Sequence, residues 1–413
     1  MFIIKKEREG LYLSNKINIV DAICGEGKST SLINYINNKE NCNKKFLYIT
    51  PFLSEIERIK QECPNKNFKS PECNKGAKIY DIKRLLSKGE NIVSSHALFK
   101  KFDEETIDLA MLHDYILIMD EVADVVELPD ISKYDLDTLL EKYVEVGEKG
   151  KLNWVATEYE GAFEYYKKQC ELGSLYIYSC SEKVKPVLVW MFPISIFKAF
   201  KEVFILTYLF DAQIQKYYYD YYGFEYKYWY IKDYNITDEY QEYDLSKYKN
   251  LINICEHEKL NLIGRDPNSL SVGWYKRNED NIMMKILKNN CENYFKNVVK
   301  TSSNLNMWTT FKEWKNLIKG KGYTKGFVSL SMRATNLYID RESVAYLSNR
   351  FLNPIIKNFF ISYGININEN DYALSELLQF LFRSRIRKGE SINLYIPSSR
   401  MRNILKKWLD KNS

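Results

Sequence analysis

Ile17-Asn18-Ile19-Val20-Asp21-Ala22-Ile23-Cys24-Gly25-Glu26-Gly27-Lys28-Ser29-Thr30 runs from an apolar stretch into two glycines, a lysine and two hydroxyl residues. This order suits a buried strand that turns sharply into a helix around a phosphate group. Glycines let the backbone curl so that N–H groups face an anion, Lys28 reaches the β and γ phosphates, and the Ser29 hydroxyl ligates Mg2+. A helix starting near Lys28 would add the positive end of its dipole. The reading assigns Gly25, Glu26, Gly27, Lys28, Ser29 and Thr30 to a nucleotide-binding loop with ATP and Mg2+ as cofactors. Position 22, where the general pattern has Gly, is Ala.

A second stretch, Tyr115-Ile116-Leu117-Ile118-Met119-Asp120-Glu121, is an apolar run ending in two carboxylates. Such a run reads as a strand buried on both faces of a parallel sheet, whose ligand chemistry lies just past the carboxyl ends of its strands. Asp120 is then a metal residue and Glu121 the base that orients and deprotonates an attacking water.

Composition sets outer bounds. A chain of 413 residues with 28% charged residues is globular and long enough for two or three domains. No apolar run long enough for a membrane span appears, and the first residues lack the charge and apolar pattern of a signal peptide, so a cytoplasmic address is expected. Eight cysteines without a C-x-x-C pair and three histidines give little basis for a zinc site or disulfide framework. The net charge of +6 is uneven: from Arg383 to the C-terminus nine Lys or Arg face two acids, a bias compatible with phosphate contacts and equally with a solvated helix. Abundant Lys, Asn, Ile and Tyr suggest an AT-rich genome, that of a low-GC bacterium or its phage.

Strands alternate with helices after the loop: Lys45 to Pro51, the helical Glu55 to Gln61, then Asn91 to Phe99. The expected class is α/β with parallel sheets. Residues 129–199 read as a helical insertion, and Glu202 to Tyr208 as the strand that closes the first core. Residues 1–128 with 200–215 form the expected first domain and 216–413 the second. Strands of the second are expected at Leu260 to Ile263, Asn306 to Thr310, Gly326 to Leu330 and Ser391 to Ile396. The aromatic block from Tyr217 to Tyr230 suits either a core or a base-stacking platform, and Lys232 to Tyr248 reads as a loop.

In this order the motifs resemble those of superfamily two, the DEAD/DEAH-like helicases of bacteria and phages. Ala22 to Thr30 resembles motif I, Tyr48-Ile49-Thr50-Pro51-Phe52 motif Ia, Asp120-Glu121-Val122-Ala123 motif II, and Leu206-Thr207-Tyr208 the motif III that couples hydrolysis to strand movement. Trp308 to Lys312 resembles motif IV and Met332 to Asn336, loosely, motif V. Gln379-Phe380-Leu381-Phe382-Arg383-Ser384-Arg385-Ile386-Arg387 is similar to motif VI, with Phe382 where the family has Gly.

The resemblance implies two RecA-like domains, ATP and Mg2+ between them, and movement along DNA or RNA, DNA being favoured, in replication, repair or recombination with partner proteins of those processes. It implies nucleic-acid contacts at Thr50, Pro51, Ser95, His96, Thr309, Thr335 and Asn336, and catalytic roles for Lys28, Asp120, Glu121, Gln379, Arg383 and Arg387. On one continuous helix Gln379, Arg383 and Arg387 share a face while Arg385 points away. The family's adenine-reading glutamine has no counterpart from Tyr12 to Lys16. Two rival readings are a terminase-like packaging motor and a nucleic-acid-binding scaffold with a partner-activated ATPase.

Overall fold

The computed structural model describes residues 16–73, 77–179, 185–330, 332 and 336–411. They form two compact units, one of residues 16–240 with Ile355–Ile367, the other of Gln241–Pro354 with residues 368–411.

The first unit is built on a seven-stranded sheet. Its strands are β1 (Lys16–Asp21), β2 (Phe46–Thr50), β3 (Ile92–Ser95), β4 (Ile116–Asp120), β10 (Glu202–Thr207), β11 (Glu225–Lys232) and β12 (Asn235–Thr237), with the short β5 to β9 between β4 and β10 in the chain. Their spatial order is β12-β11-β1-β10-β4-β2-β3. Every pair is parallel except β11 with β12. Helix α1 (Lys28–Asn37) carries the chain from β1 past β10 and β4 to β2, and α2 (Leu53–Glu62) returns it from β2 to its parallel neighbour β3. Leu32, Ile33 and Ile36 of α1 and Ile56 and Ile59 of α2 join Val20, Phe46, Tyr48, Phe204 and Leu206 in one core. Ile19, Leu47, Leu117, Met119 and Ile205, which alternate with the residues of this core and point to the opposite face, are buried as well, so the runs in β1, β2, β4 and β10 are continuously apolar.

Three expectations change here. The segment 129–199 is mixed rather than helical: β8 (Leu175–Tyr178) and β9 (Val187–Met191) pair antiparallel, as do β6 (Val144–Val146) and β7 (Leu152–Trp154), while β5 (Val126–Glu127) joins β9. The domain boundary falls after Tyr240, not at 216, because β11 pairs with β1 along Lys16 to Val20 and so completes the first sheet. Residues 232–248 are not all loop, since β12 lies within them. Ile355–Ile367 also belongs to the first unit: in α4 (Pro354–Ser362) Phe359 stacks on Tyr221 of α3 (Ile214–Tyr221) at 5.8 Å, and the Tyr363 hydroxyl donates to the Lys149 carbonyl at 2.6 Å. The first half of the aromatic block is core, with Tyr217, Tyr218, Tyr219, Tyr221 and Phe224 buried, while the rings of β11 are half-buried.

The second unit carries a four-stranded, wholly parallel sheet of order β13-β16-β15-β14, from β13 (Ile252–Ile254), β14 (Asn306–Thr309), β15 (Ser343–Tyr346) and β16 (Ile392–Tyr395). Trp308, Tyr275, Trp314, Tyr294 and Tyr395 fill its core, Tyr275 stacking on Trp314 at 5.1 Å. The strands expected at Asn306 and Ser391 are present. Leu260 to Ile263 is helical instead, where Leu260 and Ile263 turn one apolar face inward. Gly326 to Leu330 contributes only an isolated bridge at Phe327. Helices α5 (Glu369–Leu381) and α6 (Ser399–Lys411) complete this unit. Among the described residues no helix is long and apolar enough to cross a membrane.

Asn18 ties together the three strands around the loop: its Nδ2 donates to the Val203 carbonyl at 3.3 Å, and its Oδ1 accepts from Trp229 Nε1 at 2.9 Å. Asn18→Ala leaves a half-buried indole N–H without its acceptor and should cost about 1 kcal/mol, seen as a lower urea midpoint with an unchanged slope; an unaltered midpoint would show that the three-strand tie contributes nothing.

Candidate functional site

The site lies at the carboxyl ends of β1, β10 and β4. Asp21 ends β1, and the chain then turns through Gly25 at φ 99° and Gly27 at φ 83° before α1 begins at Lys28. These left-handed values are where a side chain is penalised, so both positions favour glycine. The Ser31 N–H closes the first helical turn on the Gly27 carbonyl at 2.8 Å. Lys28 Nζ folds over the loop and donates to the carbonyls of Ala22 (2.5 Å) and Ile23 (3.1 Å).

Strand β10 sets the spacing of the two motifs. The Ala22 N–H donates to the Thr207 carbonyl at 3.1 Å, and the Glu121 N–H to the Leu206 carbonyl at 3.0 Å. Adjacent carbonyls on one strand thus fix the start of the loop and the end of β4. Across them the Ser29 hydroxyl donates to Asp120 Oδ1 at 3.2 Å, joining residues 91 positions apart in sequence. Glu121 sits at φ 81°, an unusual conformation for a residue with a Cβ, and one that concentrates at functional sites.

Burial first, and the Glu121 charge second, push the Asp120 carboxyl up from 3.8 to about 6, against the Ser29 hydrogen bond and the Lys28 and Arg58 charges. Beneath it lies the fully buried Tyr48, raised well above its ordinary value by burial and then by the Asp120 charge. Arg58 of α2 donates to the Thr30 hydroxyl at 2.9 Å and to Glu55 at 3.1 Å. Burial, followed by the Asp120 charge, raises Glu55 as well. At the other side Asp21 accepts from the Leu209 and Phe210 N–H groups, each at 2.9 Å.

These residues suit a magnesium–nucleotide complex. A hydroxyl and a carboxylate already meet at hydrogen-bond distance, and among the described residues no group of three or more His, Cys, Asp or Glu could hold a metal alone. That donor set matches a cation that keeps several waters and shares its remaining ligands with phosphate.

Known proteins share this architecture. The chain is 41% identical over 414 residues to the SPbeta prophage-derived uncharacterized protein YonV of Bacillus subtilis (strain 168), a match taking in 96% of this chain and 99% of that one. It belongs to the YonV family. Residues 246–409 match the YonV C-terminal Rossmann-like domain, which fits the wholly parallel sheet of the second unit. Among solved structures, that of S. tokodaii Xpd4 is similar with a TM-score of 0.50 at 11% identity, covering 95% of this chain and 94% of that chain. The YonV-family chain therefore shares the fold of that structure, and its two units are α/β with parallel sheets.

Gly25, Glu26, Gly27, Lys28, Ser29, Thr30, Asp120 and Glu121 are brought together in the first unit. The residues assigned to nucleic acid fare differently. Thr50 is buried at the end of β2, its hydroxyl accepting from the Phe52 N–H at 3.3 Å. Thr309 is buried at the end of β14. Neither hydroxyl faces outward, so the contacts expected of them are withdrawn. Pro51 is half-buried and brings no donor of its own. The Ser95 hydroxyl caps the short helix His96–Phe99 through the Leu98 N–H, and His96 Nε2 lies 3.3 Å from the Asp120 carbonyl. Thr335 lies outside the described residues, as does the side chain of Asn336.

Gln379, Arg383 and Arg387 belong to the second unit, and they do not share one helix. Helix α5 ends at Leu381, the chain is extended at Ser384, and a separate 3-10 turn spans Arg385–Lys388. Ser384 stops the helix by donating both its N–H (2.9 Å) and its hydroxyl (2.6 Å) to the Leu381 carbonyl. Arg383 is buried and donates to the Ser329 carbonyl at 3.1 Å. Arg385 is tied to Glu342 at 2.9 Å, whereas Arg387 is exposed and Gln379 half-buried. Sequence reasoning missed Asp21, Tyr48, Glu55 and Arg58; a polar residue ending the buried run was the available signal for Asp21, whereas Tyr48 lies mid-strand in β2 and reads as core.

Because Asp120 holds its proton more tightly in the folded chain than in the unfolded one, its contribution to stability is full below about pH 4 and is lost as the pH rises through about 6. At pH 7.5 Asp120→Asn removes a buried charge while keeping an acceptor for Ser29. In metal-free, nucleotide-free protein it should stabilise by up to about 3 kcal/mol, a gain that fades toward pH 4 in urea titrations. A variant less stable than wild type at pH 7.5 would contradict this electrostatic account.

Proposed function

We propose that this chain is an ATP hydrolase whose turnover depends on nucleic acid, a helicase or translocase of the superfamily two type. The observation that carries the reading is the meeting of Ser29 and Asp120 at 3.2 Å, with Glu121 next in line and both motifs fixed by adjacent carbonyls of β10. A strand–glycine-loop–helix turn beside two carboxylates is what phosphoryl transfer requires, since that chemistry rests on positioning and charge stabilisation.

In this reading the loop N–H groups from Gly25 to Thr30 cradle the phosphates, and Lys28 exchanges its carbonyl partners for phosphate oxygens. Ser29 and Asp120 hold Mg2+, which when bound supplies charge neutralisation on the β and γ oxygens. Glu121 orients a water and takes its proton. Arg387, exposed in its unit, is the proposed guanidinium contributor in place of the buried Arg383, and DNA is the favoured track, in keeping with a prophage-derived relative. Roles in replication, repair or recombination, and partners from those processes, belong to the same proposal.

Steady-state ATP hydrolysis measured without polymer and with single-stranded DNA, duplex DNA or RNA tests the reading. One polymer should stimulate turnover, Lys28→Ala should abolish it, and Glu121→Gln should retain ATP binding while losing about 10²-fold or more in rate, the usual worth of a general base. Hydrolysis indifferent to every polymer would remove the motor part of the proposal, and none at all the enzymatic part.

A further inference from the structure

The hairpin β11–β12 reaches the nucleotide loop. Strand β11 is parallel to β1 and adjacent to it, so its carboxyl end lies on the same side of the sheet as the loop, on the flank away from Asp120. The hairpin turns through Asp233 and Tyr234, both left-handed at φ 49° and 58°. That is the mirror-image turn whose twist suits two-residue hairpins, normally built from Asn or Gly. A tyrosine there is an unfavourable choice for the backbone alone.

Its position is fixed from two sides. Asn34 Nδ2 of α1 donates to the Tyr234 carbonyl at 2.7 Å. A Cβ built on Gly27 would lie 2.8 Å from Tyr234 Cδ1 and 3.0 Å from Cε1, so one ring edge rests on the loop glycine. The side chain is nevertheless 60% exposed. An aromatic ring held by its edge at the phosphate loop presents its faces to whatever extends beyond the phosphates.

We propose that Tyr234 is the residue on which the nucleobase of the bound triphosphate stacks, taking the place of a hydrogen-bonding adenine reader. This inference rests on the triphosphate reading of the loop. Stacking on a π-face discriminates little between bases, which fits a chain with no glutamine from Tyr12 to Lys16. It also gives a role to the exposed ring at the hairpin turn, which lies just beyond the aromatic block of Tyr217 to Tyr230.

The test compares Kd for Mg–ATP with Kd for inorganic tripolyphosphate, which has phosphates and no base. Wild type is set beside Tyr234→Phe, which keeps the ring, and Tyr234→Gly, which removes it at a backbone conformation that glycine accepts. Tyr234→Gly should weaken ATP about 10-fold, within the usual range for base–aromatic stacking, and leave tripolyphosphate unchanged, while Tyr234→Phe binds both as wild type does. Equal weakening of both ligands, or no change in ATP, would overturn the stacking role and leave the triphosphatase reading standing. Wild type that binds neither ligand would overturn both.

Discussion

Two neighbouring carbonyls on one strand hold the site in register. Leu206 accepts from the Glu121 N–H and Thr207 from the Ala22 N–H, so β10 spaces the loop from the acidic pair by the fixed width of a parallel ladder. Ser29 and Asp120 can meet only because that spacing is met. The apolar composition of β10 is therefore a functional requirement as well as a packing one: a slip of one residue would turn its side chains to the opposite face and move both carbonyls.

Around this register the protein accumulates groups that cost stability. Asp120 is buried as an acid whose charged form is disfavoured, Glu121 occupies a left-handed backbone, and Tyr234 occupies another at the hairpin turn. Outliers of this kind persist where surrounding structure over-determines them. Here the surroundings are the Asn18 bridge across three strands, the grip of Asp21 on the loop after β10, and the Arg58 contact between α2 and Thr30. The strained positions lie at the carboxyl ends of β4 and β11, flanking the loop on both sides.

The first unit is not a contiguous piece of chain. Phe359, Phe360 and Tyr363 return to pack on Tyr217 and Tyr221, completing an aromatic cluster that the preceding residues leave open. The long aromatic block consequently fills the core with Tyr217, Tyr218 and Tyr219, and the β11–β12 turn just beyond it carries an exposed ring to the loop.

What the sequence determined by itself was local. The glycines, Lys28 and Ser29 follow an apolar run directly, and Asp120-Glu121 end another, so strand ends, loop and helix start were legible from period and composition. The α/β class and the parallel sheet followed from the same alternation. Segments with weaker patterns went astray: Leu260 to Ile263 is a short apolar run that periodicity cannot separate into strand or helix, and β13 and β15 each span only a few residues. Tertiary structure alone decided the sheet order, the boundary at Tyr240, the burial of Thr50 and Thr309, and the helix end at Leu381 with the extended Ser384 after it, which take Arg383 and Arg387 off the helix of Gln379. It also decided that Tyr234 meets Gly27, since that contact joins residues about 200 positions apart. Hydrogen bonds and ring contacts across such separations depend on which strands become neighbours, and no window of sequence carries that information.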